Sequence, residues 1–308
     1  PAPTPRRPLG VGVACRAWRP RENPLQRGRG EEVFELPEVT VLASQINEVL
    51  SGRRIGDGSL GNKPHKFVWY NREPEEFARL SAGKRIGVAY ARGRWLFIPL
   101  EPGYVLLFGE FGGKLLVHPP GSSLPRSYHL SLRFDDGSAL TAMTAMWGAF
   151  ELHEAGDEQR REYVCDMRPI PVDEDFTPEY LSGLIDEVLA GKKRSVKGLL
   201  TQDQLIPGLG NAIAQDILFR ARLHPRHDLA DLDAVRRREL HEAIVSTVRD
   251  VIDGGGRNDE LDLFGRPGGY VRIMDRAAVG EGCPQCGTPV EKIQYLGGAC
   301  YLCPACQT

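Results

Sequence analysis

The chain predicts an α+β multidomain fold: an antiparallel β-sandwich with flanking helices, then a helical domain, then a small metal-stapled tail. Three observations carry this. Between residues 84 and 150, short runs rich in β-branched and aromatic residues are separated by Arg-Gly, Glu-Pro-Gly and Asp-Asp-Gly turns. From residue 178 the apolar period becomes helical. The last 26 residues hold five of the seven cysteines.

The bulk figures fit that scheme. A chain of 308 residues is long enough for two domains with cores of their own. Hydrophobic content of 41% and charged content of 26% are ordinary for a globular protein. No run approaches the roughly 18 consecutive apolar residues of a membrane span, and no secretory signal is legible at the start, so a cytoplasmic location is expected. Residues 1–32 carry seven Arg against Glu22, Glu31 and Glu32, a local charge of +4; with the chain at −2, residues 33–308 sum to −6. That balance excludes a globally basic duplex-coating protein, so any nucleic-acid surface must be a local basic stripe.

In chain order, residues 1–32 form a Pro-, Arg- and Gly-rich arm without apolar periodicity, expected to be disordered or non-native. In "EEVFELPEVTVLASQ", Val41, Leu42, Ile46, Val49 and Leu50 recur at helical spacing; Pro37 suits the first turn and Gly52 the end. The β-rich runs "RIGVAYARGRWLFIPL", "GYVLLFGEFGG", "KLLVHP" and "YHLSLRFDDGSALTAM" complete a domain over 33–164. A Pro-rich acidic linker, 165–178, leads into helices at "PEYLSGLIDEVLAG", "SVKGLLTQ", "NAIAQDILFRARLHP" and "DAVRRRELHEAIVSTVRDVIDGG", a helical domain over 165–256. Residues 257–308 begin loop-like and close with the cysteines.

Cys283-x2-Cys286 is followed, after sixteen residues, by Cys303-x2-Cys306. Each pair lets two thiolates grip one ion from a tight turn, and four thiolates make a closed, structural zinc site. Cys300 also forms C-x2-C with Cys303; the shared Pro-containing knuckle of "CPQC" and "CPAC" favours Cys303 and Cys306. An odd count clustered at one end argues against a disulfide framework. In "PGLGN", Gly208 and Gly210 permit close backbone approach, and a helix starting near Asn211 aims free N–H groups outward; with Lys197, Lys192, Lys193 and Arg194 nearby, this suits a phosphate clamp, although the same residues also make an ordinary helix–helix turn.

Taken together, "ELPEV" opening a helix, the β-runs, "K…PGLGN…LF…A…HP" and a terminal four-cysteine knuckle resemble the formamidopyrimidine-DNA glycosylase / endonuclease VIII family over about residues 33–307. The resemblance implies a β-sandwich, a helix–two-turn–helix domain and a zinc finger closing on double-stranded DNA that contains a lesion or abasic site. It also implies DNA N-glycosylase and abasic-site lyase activity in base excision repair, with one structural zinc ion and a monomeric chain. Carried over by position, Glu35 matches the family's acid/base and Glu38 a further acidic position. Phe34 stands where the nucleophilic proline belongs, so this is a divergent member, and as written its nitrogen is a peptide nitrogen, neither basic nor nucleophilic. Arg94 takes the place of a phosphate-holding lysine, Lys197 and Asn211 match phosphate-contacting positions, Gly298 replaces the finger's arginine, and Phe111, Ala145 and Trp147 fall near the residues that fill the void of a flipped base.

"KPHKFVWYN", residues 63–71, lies outside that pattern; His65 is a candidate DNA contact and Lys66 a candidate substitute amine, against the plainer reading of an alternating strand. Three functions compete. An active glycosylase would have a natural start near Val33, and Glu35 could activate water to remove a base without strand cleavage. A non-catalytic damage binder would have kept the clasp and lost the nucleophile. A structured-RNA-binding or regulatory protein would use the helical turn and the knuckle differently.

Overall fold

The computed structural model describes residues 33–62, 67–145, 147–161 and 163–308. The arm 1–32 and the pair His65 and Lys66 lie outside these residues.

The chain opens with helix α1 (Leu36–Val49). Glu35 and Glu38 form a reciprocal capping box over its first turn, with Pro37 at a position where a missing N–H costs nothing. Strands β1 (Ile55–Leu60) and β2 (Val68–Tyr70) follow, then helix α2 (Pro74–Ser81), which the sequence reading missed. Strands β3 (Arg85–Ile86), β4 (Tyr90–Arg92), β5 (Trp95–Glu101), β6 (Tyr104–Gly109), β7 (Gly113–His118), β8 (Leu130–Phe134), β9 (Ala139–Thr144) and β10 (Gly148–Glu154) complete two sheets. One has the order β1-β8-β9-β7; the other runs β2-β10-β6-β5-β3, with β4 also on β5. The β2–β10 pair is parallel, which corrects the expectation of a purely antiparallel sandwich: β2 and β10 are far apart in sequence, so no hairpin turn dictates their direction.

The expected linker is not free chain. Ile170 and Phe176 are buried in the helical core, and Asp173 pairs with Arg92 of β4 at 2.7 Å. Helices α3 (Pro178–Gly191), α4 (Val196–Thr201), α5 (Asn211–Arg220) and α6 (Ala234–Asp253) form the second body. Side chains of Thr177, Ser195 and Asp233 cap α3, α4 and α6. Strands β11 (Glu291–Tyr295) and β12 (Gly298–Leu302) make a hairpin whose turn, Leu296-Gly297, has positive φ at both residues.

Phe34 belongs to the sandwich core and Leu36 to the helical core. Extended chain alternates its side chains, so Glu35 between them is aimed along the boundary of the two bodies. The backbone ties the same point twice: Phe34 N–H donates to Phe111 O at 3.0 Å and Leu36 N–H to Gly208 O at 2.9 Å.

Candidate nucleic-acid site at the domain seam

The Glu35 carboxylate accepts from the backbone N–H groups of Gly210 (2.9 Å), Ala212 (2.8 Å) and Ile213 (3.4 Å). These are otherwise orphan donors at the start of α5, so an acidic side chain from the sandwich satisfies the positive end of a helical-domain helix. Glycine is required on both sides of this contact. Gly208 has φ +91, and a Cβ there would lie 2.5 Å from that of Leu36; a Cβ on Gly210 would lie 2.3 Å from Glu35 Oε1. "PGLGN" is therefore a close-approach turn, but the closest partner is Glu35. The Gly210 amide, expected to face DNA, donates to the Glu35 carboxylate here.

Arg94, in the turn between β4 and β5, donates to Leu209 O at 2.9 Å and pairs with Glu110 at 3.2 Å. In this arrangement it pins the PGLGN turn to the sandwich. Glu38 is equally committed: one oxygen accepts from Glu35 N–H at 3.0 Å, the other from Arg257 Nε at 2.9 Å, and both side chains are buried. The side chain expected to be a further catalytic acid thus spans the Glu35 backbone and the Arg257 guanidinium.

Lys197 is 1% exposed; its Nζ donates to Tyr295 O at 2.9 Å and stands 3.1 Å from Cys300 Sγ. The ammonium expected to meet a phosphate lies beside the finger and bonds the β11–β12 hairpin. Asn211 stays exposed, with Nδ2 3.4 Å from Ala299 O, and a Cβ on Gly298 would lie 3.2 Å from its Oδ1. Asn211, Lys197 and the finger hairpin thus share one seam. Phe111, expected to fill the void of a flipped base, is 1% exposed and packs edge-on against Phe34 at 4.9 Å between ring centroids, within the sandwich core. Trp147 is half-buried with its ring 4.6 Å from that of Phe67.

The Sγ atoms of Cys283, Cys286, Cys303 and Cys306 lie within 4.8 Å of one another, a donor set able to hold one metal ion. Cys300 is outside it, facing Lys197, which resolves the alternative left open by spacing. Sequence reading missed four tertiary residues. Gln215 on α5 grips the hairpin backbone, donating to Ala299 O (3.2 Å) and accepting from Tyr301 N–H (3.1 Å). Asp216 accepts from the N–H groups of Ile273 and Met274, and Arg257 reaches back to Glu38. Leu263 plugs into the sandwich core. None carries a local signal, because each partner is more than fifty residues away.

Comparison with known proteins agrees with this geometry. Residues 34–145 match the formamidopyrimidine-DNA glycosylase N-terminal domain, and residues 167–260 its H2TH domain. The formamidopyrimidine-DNA glycosylase of Chloroflexus aurantiacus is 32% identical over 280 residues, covering 89% of this chain and 97% of that protein. The chain belongs to the formamidopyrimidine-DNA glycosylase family. The namesake protein of Symbiobacterium thermophilum is 31% identical over 279 residues, with 89% of this chain and 88% of that one covered. Among solved structures, Lactococcus lactis Fpg bound to abasic-site DNA has a TM-score of 0.77 at 24% identity, covering 89% of this chain and 99% of that one; at that identity the likeness shows the fold alone.

Proposed function

We propose that this protein is a DNA N-glycosylase that excises a damaged base from duplex DNA in base excision repair, and that it does so by hydrolysis, without a Schiff base. The observation that carries the reading is the pairing of Phe34 and Glu35. Phe34 is 0% exposed and its nitrogen is a hydrogen-bonded peptide nitrogen, whereas Glu35 is held on α5 at the meeting point of both domains. The lone pair of a peptide nitrogen is delocalised into its carbonyl and is not available to attack C1′. A carboxylate held at the seam can instead accept a proton from water as the water oxygen bonds to C1′. The glycosidic C–N bond breaks as the base leaves with its electron pair, leaving an intact strand bearing an abasic site. Arg94 and Glu38 keep the carboxylate and the PGLGN turn in place. Asn211 meets the backbone, and Trp147 is the remaining aromatic candidate for the vacated stack.

The four thiolates fit one structural zinc ion, as does the family likeness. Bonds of about 2.3 Å in a tetrahedron set sulfurs about 3.8 Å apart; Cys283–Cys306 and Cys286–Cys303 are separated by 3.9 and 3.4 Å. Bound zinc supplies folding energy to the finger, and four protein ligands leave no position for chemistry. A protein with this task would work on chromosomal DNA in the cytoplasm, at the nucleoid if the cell is bacterial.

The test incubates the full chain with duplexes carrying single oxidised or ring-opened bases, and separates base release from strand scission. The expected result is free base and an alkali-labile strand, no nick before alkali, and no borohydride-trapped adduct. Glu35→Gln is expected to slow release about a hundredfold or more while abasic-site binding persists. A trapped adduct would replace hydrolysis with amine chemistry, with Lys66 the first residue to substitute. Tight lesion binding without any base release would favour the non-catalytic damage binder, a reading supported by the three N–H bonds that already occupy Glu35.

A further inference from the structure

We infer that Arg226, from the loop after α5, supplies the exposed cation with which the seam between the helical domain and the finger grips a DNA phosphate. The inference deepens the DNA-binding reading above and rests on it.

The hairpin geometry leads to this residue. Tyr295 and Gly298 are directly opposed in the β11–β12 register, and directly opposed residues of an antiparallel pair point to the same face. Ile293 and Cys300 are the next opposed pair but one along the strands, so their side chains lie on that face too. Cys300 meets Lys197 there, and a Cβ on Gly298 would approach Asn211 Oδ1 and stand 3.5 Å from Lys197 Nζ. This face is therefore the one turned toward the helical domain. It lacks a charged side chain of its own near the hairpin tip, because position 298 is glycine, and the ammonium of Lys197 is buried and bonded to Tyr295 O.

Arg226 fills that gap from the opposite wall. Its guanidinium lies over the Tyr295 ring, 5.3 Å from the centroid, and the residue is exposed. A cation–π contact steadies the guanidinium without consuming its N–H donors, which suit bidentate phosphate contact. Among the described residues no carboxylate lies within ion-pair distance of Arg226, so its charge is not already neutralised. Asn211 is the exposed neutral donor beside the same hairpin. A cation presented by the helical domain, steadied by an aromatic ring of the finger, makes phosphate binding depend on both bodies being joined.

The experiment measures binding of the full-length parent, Arg226→Ala, Arg226→Lys and Arg226→Ala/Gly298→Arg to a duplex containing a tetrahydrofuran abasic analogue, from 50 to 200 mM salt. The logarithmic salt slope is expected to fall by about one in Arg226→Ala, so that the affinity loss across this fourfold salt range is about fourfold smaller than for the parent. Arg226→Lys should keep the slope, and Gly298→Arg should restore it. Thermal midpoints of all four proteins are read alongside, because a surface guanidinium should leave them unchanged. An unchanged slope in Arg226→Ala, with the parent binding the duplex and Asn211→Ala weakening it, overturns the role of Arg226 and leaves the DNA reading intact. A parent that fails to bind the duplex overturns both.

Discussion

At the scale of single residues, three neighbours near the start of the described chain have three destinations. Phe34 fills the sandwich core, Leu36 the helical core, and Glu35 the positive end of α5. The Phe34 ring is fully buried and belongs to the sandwich core. Phe34→Ala should therefore cost about 3–5 kcal/mol through the cavity it leaves among Phe111 and its neighbours, seen as a lower midpoint in denaturant unfolding. A change below about 1 kcal/mol would mean that the ring is not integral to the core. A second residue-scale expectation concerns acid. Burial pushes the Glu151 carboxyl up, but hydrogen bonds from His153 and Arg161 and their charge outweigh it and hold the group down at about 2. A carboxyl depressed on folding contributes stability that is complete above its ordinary value, about 4.5, and is lost as pH falls toward 2. Glu151→Gln should flatten that segment of the stability–pH curve; an unaltered slope between pH 5 and 2 would show that the network contributes nothing.

At the scale of elements, the joints matter more than the helices and strands they connect. The loop that follows α6 closes on itself through Tyr270 N–H to Gly256 O and Asn258 N–H to Tyr270 O, and its tip enters the sandwich. Leu263 is fully buried there, with its N–H on Gln45 and its carbonyl receiving Val117 N–H. This strap anchors Arg257 against Glu38, which in turn positions Glu35. Leu263→Ala should cost about 2–5 kcal/mol by cavity formation. Arg257→Gln, which leaves a buried carboxylate without its cation, should cost about 3–5 kcal/mol. If the second variant also slows base release at a temperature where it is fully folded, the strap is a positioning device; if release is unchanged there, its work is confined to stability. Spacing in the sequence showed α3 and α6 because each buries one stripe at a 3.6-residue period, whereas α4 and α5 are buried nearly all round and are marked by their flanking turns. It did not show the strap, whose residues 257–270 combine bonds within the loop with bonds to Glu38, Gln45 and Val117 and carry no period at all.

At the scale of the whole molecule, sandwich, helical body and finger meet along one seam lined by Glu35, Arg94, Asn211, Lys197 and the hairpin. The finger is joined to α5 by Gln215 and Asp216, so losing its metal should loosen the DNA face as well as the tail. Cys303→Ser is expected to lower bound zinc below stoichiometry and to weaken abasic-duplex binding together; zinc retained at one per chain would show that the donor set is grouped differently.

The residues by themselves determined the succession of a β-rich body, a helical body and a cysteine knuckle, the family resemblance, and the position of Glu35 ahead of a capped helix. Those features are local: turn chemistry, apolar period and ligand spacing act within a few residues and are written in neighbouring letters. Only the tertiary structure decided that Phe111 and Phe34 are core, that Lys197 is buried beneath Tyr295, that Gly210 serves Glu35, and that β2 runs parallel to β10. An aromatic ring, an ammonium or an amide N–H has the same composition whether it faces solvent or a partner two hundred residues away, and which of these it meets is set by how the bodies close on one another.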